Sequence, residues 1–345
     1  MNEKFLETSP TKPTMQVIAE QASVSLSTVS KVLNGRKGVS TDTRERVEQL
    51  LHEHGYLRRG EAGRAGGLIE VVVEQAMSSM WALEIIRGVE SVVRRHGLNV
   101  VLSQTEARHD PGSAWISGVA QRRPVAVILV LTDLSAEHKR RLSTRNIPFV
   151  LIDPAGSPDP DVPSVGATNW AGGVAAAEYL IGLGHRDIGM ITGPSDMMCT
   201  HARLSGFRHA MEAAGLPIGP GRIVQGDFTR DSGVAAGLQL LDRPDRPTAI
   251  FASNDMEAVG VYEAARRTGL SIPGDLSVVG FDDISLADWI APGLTTIKQP
   301  LAQMAAEAVE LVLRPSAAPY SESRRELATT LIVRESTAPP AKSFQ

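Results

Sequence analysis

The sequence VIAEQASVSLSTVSKVLN, Val17–Asn34, predicts two short helices joined by a tight turn. Ile18, Ala19 and Ala22 recur at helical spacing, so the first helix has one apolar face. The dipeptide Ser23–Val24 supplies the turn between the helices. We therefore expect the two helices to pack as a pair.

The second helix is predicted to begin after Ser25, whose side-chain oxygen can accept an amide proton of the first turn. A helix this short is unstable alone in water, so its apolar residues Val29, Val32 and Leu33 must pack on the first helix. The residues on its free side are Leu26, Ser27, Ser30, Lys31 and Asn34. This pattern predicts a helix-turn-helix, whose second helix lies in the major groove of DNA. An ordinary helical hairpin is the alternative.

Charge is distributed unevenly along a chain whose net charge is −4. Residues 14–67 contain eight basic and six acidic residues, so this segment carries +2 and the remainder −6. Arg36 and Lys37 follow the second helix, and Arg58 and Arg59 follow the third, where they favour phosphate contacts. A solvated charged face is the alternative.

The N-terminal segments have distinct compositions. Residues 1–13 are predicted to be a disordered tail, and residues 14–57 a helix-turn-helix domain completed by a third helix, Thr41–His54, that Ser40 caps. Residues 58–67 (RRGEAGRAGG) are rich in glycine and arginine and predict a flexible linker.

Size and composition limit the class of protein. The chain has 345 residues, 42% of them hydrophobic and 21% charged, with one cysteine, Cys199. No disulfide framework or cysteine-based metal site is predicted, and a reducing compartment follows. The first residues lack an apolar signal-peptide core, and the apolar run Val125–Leu131 is too short to span a bilayer. The sequence predicts a cytoplasmic protein that has no membrane partner.

From Leu68 onwards, strand patterns alternate with helical patterns of ten to fifteen residues, which predicts α/β architecture with parallel sheets and helices on both faces. The repeats are too many for one sheet, so two lobes are expected within residues 68–338. The first lobe takes about 68–165 and 296–325, and the second about 166–295 with a last strand at Leu327–Val333. Strand Thr295–Ile297 and helix Leu301–Leu313 are expected to return to the first lobe, and 339–345 form a tail.

Polar and aromatic residues follow several predicted strands, where ligands bind in doubly wound sheets. The aromatic faces suit the C–H face of a neutral polyhydroxylated ligand, and the charged groups suit its vicinal hydroxyls. The candidate effector-binding residues are Trp81, which precedes the first helix of the core, Asp153, Arg203, Phe228, Asn254, Asp255 and Asp282. The alternative, strongest for Asp133 and Asp283, is that such residues cap helices or turns.

Enzyme signatures are largely absent from the sequence. It has no phosphate-binding loop, and Gly172–Gly173 lies within a helix rather than opening one. His185 is interpreted as structural, and His201 near Cys199 is weak evidence for a metal or nucleophile. We therefore predict no catalytic residue, metal or cofactor.

The chain resembles the LacI/GalR family of bacterial transcription repressors from about Thr14 to Ala338. The motifs are VSLSTVSKVLNG (24–35), VSTDTRERVEQLLHEHGY (39–56), EIIRGVE (84–90), VGATNWAGG (165–173), LGHRDIGMITGP (183–194), RLSGF (203–207), FASNDMEAVGVYEAARRTGL (251–270), IPGDLSVVGFDDI (272–284) and LTTIKQP (294–300). The resemblance implies a dimer with a DNA-binding head and a periplasmic-binding-protein-like core that binds an effector between its lobes.

Matched position by position, the resemblance implies base reading by Leu26, Ser27 and Lys31, with Thr28 and Asn34 near the DNA backbone. The full set of candidate DNA-binding residues is Ser25, Leu26, Ser27, Thr28, Ser30, Lys31, Asn34, Arg36, Arg58 and Arg59. The resemblance implies effector positions at Asp153, Arg203, Asn254 and Asp282, with stacking aromatics at Trp81 and Phe228.

Two features depart from the family pattern. The usual turn glycine is Ser23 here, and the segment that normally forms a leucine-bearing hinge helix is shorter and has no leucine. We therefore do not expect the linker to insert a side chain into the minor groove and kink the DNA. We expect instead that the linker stays mobile, or that its arginines contact phosphates or a narrow minor groove.

The sequence thus predicts a homodimeric repressor of carbohydrate-metabolism genes that binds a palindromic operator in double-stranded DNA and responds to a small-molecule effector, with a saccharide favoured. A purine- or other metabolite-responsive regulator is the first alternative. A cytosolic sugar-binding module without DNA function and a nucleotide-using α/β enzyme are the others.

Overall fold

The computed structural model describes residues 15–33, 38–53, 66–74, 79–105, 111–314 and 324–341. Their elements belong to a helical unit and an α/β unit. Several predicted features lie outside the described residues: the tail 1–13, most of the linker 58–67, and Asn34, Arg36, Arg58 and Arg59.

The helical unit contains α1 (Met15–Gln21), α2 (Leu26–Leu33) and α3 (Thr41–Glu53), which confirms the predicted helices. The apolar positions form one core; its buried members are Ile18, Ala19, Ala22, Val29, Val32, Val47 and Leu51. Ser25 Oγ accepts a hydrogen bond from Thr28 N at 3.2 Å, as its capping role predicts. Ser40 Oγ caps α3 in the same way through Thr43 N at 3.4 Å.

The turn between α1 and α2 depends on Ser23, which has φ +53°. Its amide donates to Glu20 O at 3.1 Å, and the Val24 amide donates to Ala19 O at 2.9 Å. Serine therefore adopts the left-handed conformation that glycine reaches more easily.

The first sheet of the α/β unit has the strand order β11-β5-β4-β3-β1-β2. Its strands are β1 (Leu68–Glu74), β2 (Asn99–Thr105), β3 (Ala126–Val130), β4 (Phe149–Ile152), β5 (Ser164–Ala167) and β11 (Arg324–Leu327). Pairs β1–β3, β3–β4, β4–β5 and β5–β11 are parallel. Every residue of β3 is buried, as expected for a parallel strand covered on both faces.

The second sheet has the order β12-β10-β9-β8-β6-β7. Its strands are β6 (Ile188–Thr192), β7 (Ile223–Gln225), β8 (Ala249–Ala252), β9 (Ser277–Asp282), β10 (Thr295–Lys298) and β12 (Thr330–Ile332). Strand β12 is antiparallel to β10, and the other pairs are parallel. The two sheets define a first and a second lobe, as predicted.

The helices of the α/β unit are α4 (Met80–Arg95), α5 (Gly112–Arg122), α6 (Ala136–Thr144), α7 (Asn169–Gly182), α8 (Met198–Ala213), α9 (Arg230–Leu241), α10 (Asp255–Arg267), α11 (Leu286–Trp289) and α12 (Leu301–Leu313). Each lobe has its own buried core; Leu129 and Leu151 lie in the first, and Phe207, Phe251 and Phe281 in the second. Within the described ranges, no helix is both long and apolar enough to cross a bilayer.

Several local predictions need correction. Strand Thr295–Ile297 belongs to the second sheet, because β10 pairs with β9 and β12 rather than returning to the first lobe. Helix α12 does return, and packs on β3, β4 and β5. The predicted strand Leu327–Val333 is divided between β11 and β12, one in each sheet. On α4, Leu83 is 42% exposed, whereas Ile85 is buried.

Candidate functional site

The free side of α2 is the first candidate site. Val29 and Val32 are buried, whereas Leu26 is 51% exposed and Ser27 and Lys31 are also exposed. The major groove of DNA accommodates an α-helix. Its base edges present hydrogen-bond acceptors for the ammonium of Lys31, hydrogen-bond partners for the hydroxyl of Ser27 and thymine methyl groups for the apolar Leu26. This face therefore offers complementary groups over about two helical turns.

The hydroxyls at the start of α2 interact with one another. Ser25 Oγ lies 2.8 Å from Ser27 Oγ and 2.9 Å from Thr28 Oγ1. Ser30 is half-buried. The hydroxyl cluster thus stabilises the N-terminus of α2, the end that contacts base edges in a helix-turn-helix.

The second candidate site is a cavity of about 320 Å³ in the α/β unit. It lies beyond the carboxyl ends of strands from both sheets, because Asp153 follows β4 and Asp282 ends β9. The predicted residues that line it are Trp81, Asp153, Arg203, Phe228, Asn254 and Asp282. The structure therefore brings six of the seven candidate effector residues together.

Arg203 is the most extensively bonded of these side chains, and is only 3% exposed. Its Nε donates to Asn169 Oδ1 at 2.8 Å, and its Nη1 donates to the Ser253 carbonyl at 2.6 Å. Its guanidinium carbon lies 3.8 Å from the centroid of the Phe281 ring. The remaining nitrogen, Nη2, is 3.8 Å from Asp282 Oδ1. The side chain is thus fixed before any ligand arrives.

Close helix packing brings Arg203 to this position. Gly173 lies in α7, and a Cβ built there would stand 2.3 Å from the Arg203 carbonyl oxygen in α8. Only glycine permits this approach of the two helices. The Gly172–Gly173 pair therefore serves helix packing rather than phosphate binding.

Two buried carboxyl groups face the guanidinium. Burial raises the pKa of Asp282 to about 7, although Arg203 and the hydrogen bond from Gln299 Nε2 at 2.7 Å oppose the shift. Burial also raises the pKa of Asp153, against the opposing charge of Arg203. Both residues have positive φ, +47° at Asp153 and +115° at Asp282. Such strained backbone is concentrated at ligand sites.

The aromatic residues lie on opposite lobes of the cavity. Trp81 is the second residue of α4, rather than preceding the helix as predicted, and is 7% exposed. Phe228 follows β7 and is half-buried. Asn254 Nδ2 donates to the Phe228 carbonyl at 2.9 Å, while Asn254 Oδ1 accepts from Glu257 N at 2.8 Å. Asn254 therefore caps α10 and also lines the cavity.

Asp255 requires a correction, because it does not line the cavity. Its carboxylate is fully buried and accepts from Thr296 Oγ1 at 2.5 Å and Ile284 N at 3.0 Å. Asp133 accepts from Gly156 N, and Asp283 pairs with Arg334, so both fit the capping and turn alternative. Asp255 is the first residue of α10, and its side chain points into the protein core, whereas the neighbouring Asn254 faces the cavity.

Two groups of lining residues were not predicted from the sequence. Met80, Met197 and Met256 contribute flexible apolar surface, and methionines at helical spacing are difficult to distinguish from core residues. Asp227 and Arg230, which follow β7, also line the cavity. The sequence GDFTR (226–230) at the end of that strand could have indicated them as candidate ligand-binding residues.

In the part of the chain that the structure describes, neither His185 nor Cys199 lies in a reactive arrangement. His185 is buried, with Nδ1 2.8 Å from Thr248 Oγ1 and Nε2 3.0 Å from the Ala338 carbonyl, which confirms a structural role. Burial raises the pKa of the Cys199 thiol to about 12, so it is a poor nucleophile. His201 Nε2 lies 2.7 Å from the Ser195 carbonyl oxygen.

A helix-turn-helix joined to a two-lobe core with a polar cavity defines the class of ligand-responsive DNA-binding regulators, and the comparisons agree. Residues 14–59 match the bacterial regulatory proteins of the lacI family, and residues 177–337 match a periplasmic binding protein-like domain. The HTH-type transcriptional repressor CytR of Escherichia coli K12 is 34% identical over 336 residues, 95% of this chain and 97% of CytR.

Two solved structures extend the comparison. The transcriptional regulator CelR in complex with cellobiose is 32% identical, with a TM-score of 0.71 over 94% of this chain and 99% of CelR. The lac repressor dimer bound to operator and the anti-inducer ONPF is 26% identical, with a TM-score of 0.67 over 95% and 100%. The chain belongs to the lacI family of bacterial regulatory proteins, and is a DNA-binding transcriptional regulator.

Proposed function

We propose that this regulator is a dimeric repressor of carbohydrate-metabolism genes, which binds a palindromic operator through α2. Binding of a saccharide in the cavity either lowers or raises the affinity of the dimer for the operator. Two copies related by a two-fold axis present two α2 helices, so a palindrome matches the symmetry of the protein. The lac repressor dimer on its operator supports this arrangement.

One observation carries the choice of effector: Asp153, Arg203 and Asp282 line the same cavity as the aromatic rings of Trp81 and Phe228. Carboxylates accept hydrogen bonds from vicinal hydroxyls, and a guanidinium donates to hydroxyl or ring oxygens. The rings can cover the apolar C–H face of a sugar. The cellobiose complex of CelR supports the same ligand class.

A purine is the second candidate, because a planar base could also lie against Phe228 and meet the carboxyls with its N–H groups. The cavity is lined by five acidic or basic side chains, Asp153, Arg203, Asp227, Arg230 and Asp282, next to two aromatic rings. Several hydroxyl groups satisfy these charges more completely than the edge of one base does. We therefore favour the saccharide.

The control step follows from the cavity's position between lobes. Residues of both lobes contact one ligand, so the ligand stabilises the arrangement in which those residues are close. Closure then changes the relative placement of the two lobes in each subunit, and so the spacing of the DNA-binding heads. The response is limited by the difference in ligand affinity between the two arrangements.

The test combines a ligand screen with a DNA-binding assay. Purified full-length protein is heated with glucose, ribose, cellobiose, adenosine or hypoxanthine; a ligand at 100 times its dissociation constant adds about 2.7 kcal/mol of stability. The palindrome is obtained by selection from random duplexes, and its affinity is measured with and without each compound. A saccharide that raises the melting temperature and alters duplex affinity supports the proposal. A response to hypoxanthine or adenosine alone favours the purine alternative.

Paired variants locate the response. Asp282→Asn should abolish the saccharide effect on duplex affinity, whereas the exposed Asp242→Asn should retain it. Loss of the saccharide response in both variants, or in neither, would place the effector elsewhere.

A further inference from the structure

Phe228 is held in an unusual conformation at the cavity. Its φ is +69°, a left-handed conformation that is unfavourable for a bulky side chain. Its ring fills the space beside Gly193, where an added Cβ would stand 2.1 Å from the ring Cζ atom. The ring also lies 5.8 Å from the guanidinium carbon of Arg203. Interactions with neighbouring groups must therefore stabilise the left-handed backbone conformation of Phe228.

Two hydrogen bonds connect that backbone to the first turn of α10, and a third joins the two side chains that make them. Glu257 Oε1 accepts from Phe228 N at 2.9 Å, and Asn254 Nδ2 donates to Phe228 O at 2.9 Å. Asn254 and Glu257 are joined by the bond from Glu257 N to Asn254 Oδ1 at 2.8 Å. Both backbone groups of Phe228 therefore depend on two side chains of one helical turn.

Glu257 is an unexpected residue for this position. It is fully buried, and its second oxygen, Oε2, has no hydrogen-bond partner among the described residues. Burial raises the pKa of its carboxyl group well above the usual value, with Asp227 and Asp282 adding to the shift and Arg203 opposing it. A buried carboxyl is costly, and a purely apolar side chain would fill the space without that cost. What the carboxyl supplies is the acceptor for Phe228 N.

We propose that Glu257 is a positioning residue for effector recognition: it holds Phe228 in the left-handed conformation that presents the ring to the cavity, and so selects ligands with an apolar face. This inference rests on the proposed function, because it assigns the Phe228 ring to the face of a saccharide. Glu257 does not line the cavity and acts through Phe228.

The conservative variant separates this role from simple packing. Glu257→Gln keeps an oxygen acceptor and nearly the same shape, whereas Glu257→Met fills similar volume without an acceptor. In ligand-free protein, hydrogen exchange of the segment 225–230 should stay slow in the wild type and in Glu257→Gln, and become faster in Glu257→Met. Glu178→Met, an exposed glutamate in α7, is the matched control and should leave that segment unchanged. Unchanged exchange in Glu257→Met would overturn the proposal.

A double-mutant cycle with cellobiose as the probe measures the functional consequence. Glu257→Met should weaken cellobiose binding about fivefold, the worth of one hydrogen bond, and Glu257→Gln should restore it. In a Phe228→Ala background, or Phe228→Leu if the first variant is unstable, Glu257→Met should have no further effect. An equal loss in both backgrounds would contradict positioning through Phe228.

Failure of every saccharide in the panel to bind would count against the proposed function, and the exchange experiment would then decide the role of Glu257 on its own.

Discussion

Ser285 Oγ donates a hydrogen bond to Glu84 Oε1 at 3.0 Å, and this bond joins the second lobe to the first. Ser285 follows the cavity-lining residue Ile284, and Glu84 lies one helical turn after the cavity-lining Trp81. A second link between the lobes is the bond from the Met198 amide to the Ala155 carbonyl at 2.7 Å. These two bonds therefore tie the lobes together beside the ligand cavity.

The first prediction concerns the Ser285–Glu84 bond. Ser285→Ala removes a contact worth about 1 kcal/mol, so the closed arrangement becomes less favourable and effector affinity should fall about fivefold. Isothermal titration calorimetry with the saccharide selected in the screen measures the change. Ser205→Ala, an exposed serine of α8, is the control. Equal or tighter binding in Ser285→Ala would show that the bond does not contribute to the ligand-bound arrangement.

The second prediction concerns pH and stability at Asp282. Burial raises its pKa from 3.8 to about 7, so between these pH values the folded protein binds a proton that the unfolded chain lacks. Stability contributed by this proton is present at low pH and is lost as pH rises through about 7. Asp282→Asn removes the titration, so at pH 8 the ligand-free variant should be more stable than the wild type by about 2–4 kcal/mol.

Urea unfolding of both proteins at pH 5, 6, 7 and 8 tests this prediction. The pKa values of Asp153, Asp255 and Glu257 are also raised, so the Asp282→Asn variant keeps some pH dependence in the same direction. The Asp282 charge contributes to the raised pKa values of Asp255 and Glu257, so the difference between the two proteins reports the titration of Asp282 together with its effect on these two carboxyl groups. The difference in the free energy of unfolding between Asp282→Asn and the wild type should increase from pH 5 to pH 8. A difference that stays the same at all four pH values would contradict the prediction.

The third prediction concerns Glu70, a fully buried residue of β1. Its carboxylate accepts from Trp115 Nε1 at 2.9 Å, Ser103 Oγ at 2.6 Å and Arg122 Nη2 at 2.6 Å. Glu70→Ala leaves these donors without their acceptor, and should lower the free energy of unfolding by about 2–4 kcal/mol. Urea denaturation of the wild type and of Glu70→Ala measures this change in the free energy of unfolding. Glu137→Ala breaks the exposed pair with Arg141 and should change stability by less than about 1 kcal/mol.

Glu70 also shows why part of the fold could not be read from the sequence. The run LIEVVVE predicts a buried strand, and the strand is present, but nothing local reveals the distant Trp115 and Arg122 that satisfy its charge. The sheet to which Thr295–Ile297 belongs is likewise a long-range property, decided by pairing with β9 and β12. Periodicity identifies elements, whereas their partners depend on tertiary packing.

The candidate cavity could be predicted to the extent that it depends on strand ends. Asp153 and Asp282 were found because carboxyl ends of parallel strands converge on one edge. Asp255 was misassigned because its neighbour Asn254 faces the cavity, and one step along the helix turns the side chain into the core. Glu257 gave no signal, because the role that we propose for it depends on the unusual backbone of Phe228, which sequence spacing does not reveal.

The last prediction tests the DNA-binding face directly. Lys31 is exposed on α2, beside the exposed Ser27 and on the side opposite the buried Val29. If its ammonium donates to a guanine, Lys31→Ala should cost about 1–3 kcal/mol of operator affinity and relax the preference at one base pair in each half-site. If it contacts phosphate instead, affinity should fall evenly across sequences and the salt dependence should weaken by about one counterion.

Fluorescence anisotropy on the selected palindrome and on duplexes with single base changes, each at several salt concentrations, separates these outcomes. Lys139→Ala, which removes a lysine of α6 in the α/β unit, is the matched control and should retain full operator affinity. We expect the base-specific result, because Lys31 lies in the second turn of α2, and the recognition helix of a helix-turn-helix contacts base edges through its N-terminal residues. Undiminished operator binding by Lys31→Ala on every duplex would mean that α2 does not present this face to DNA.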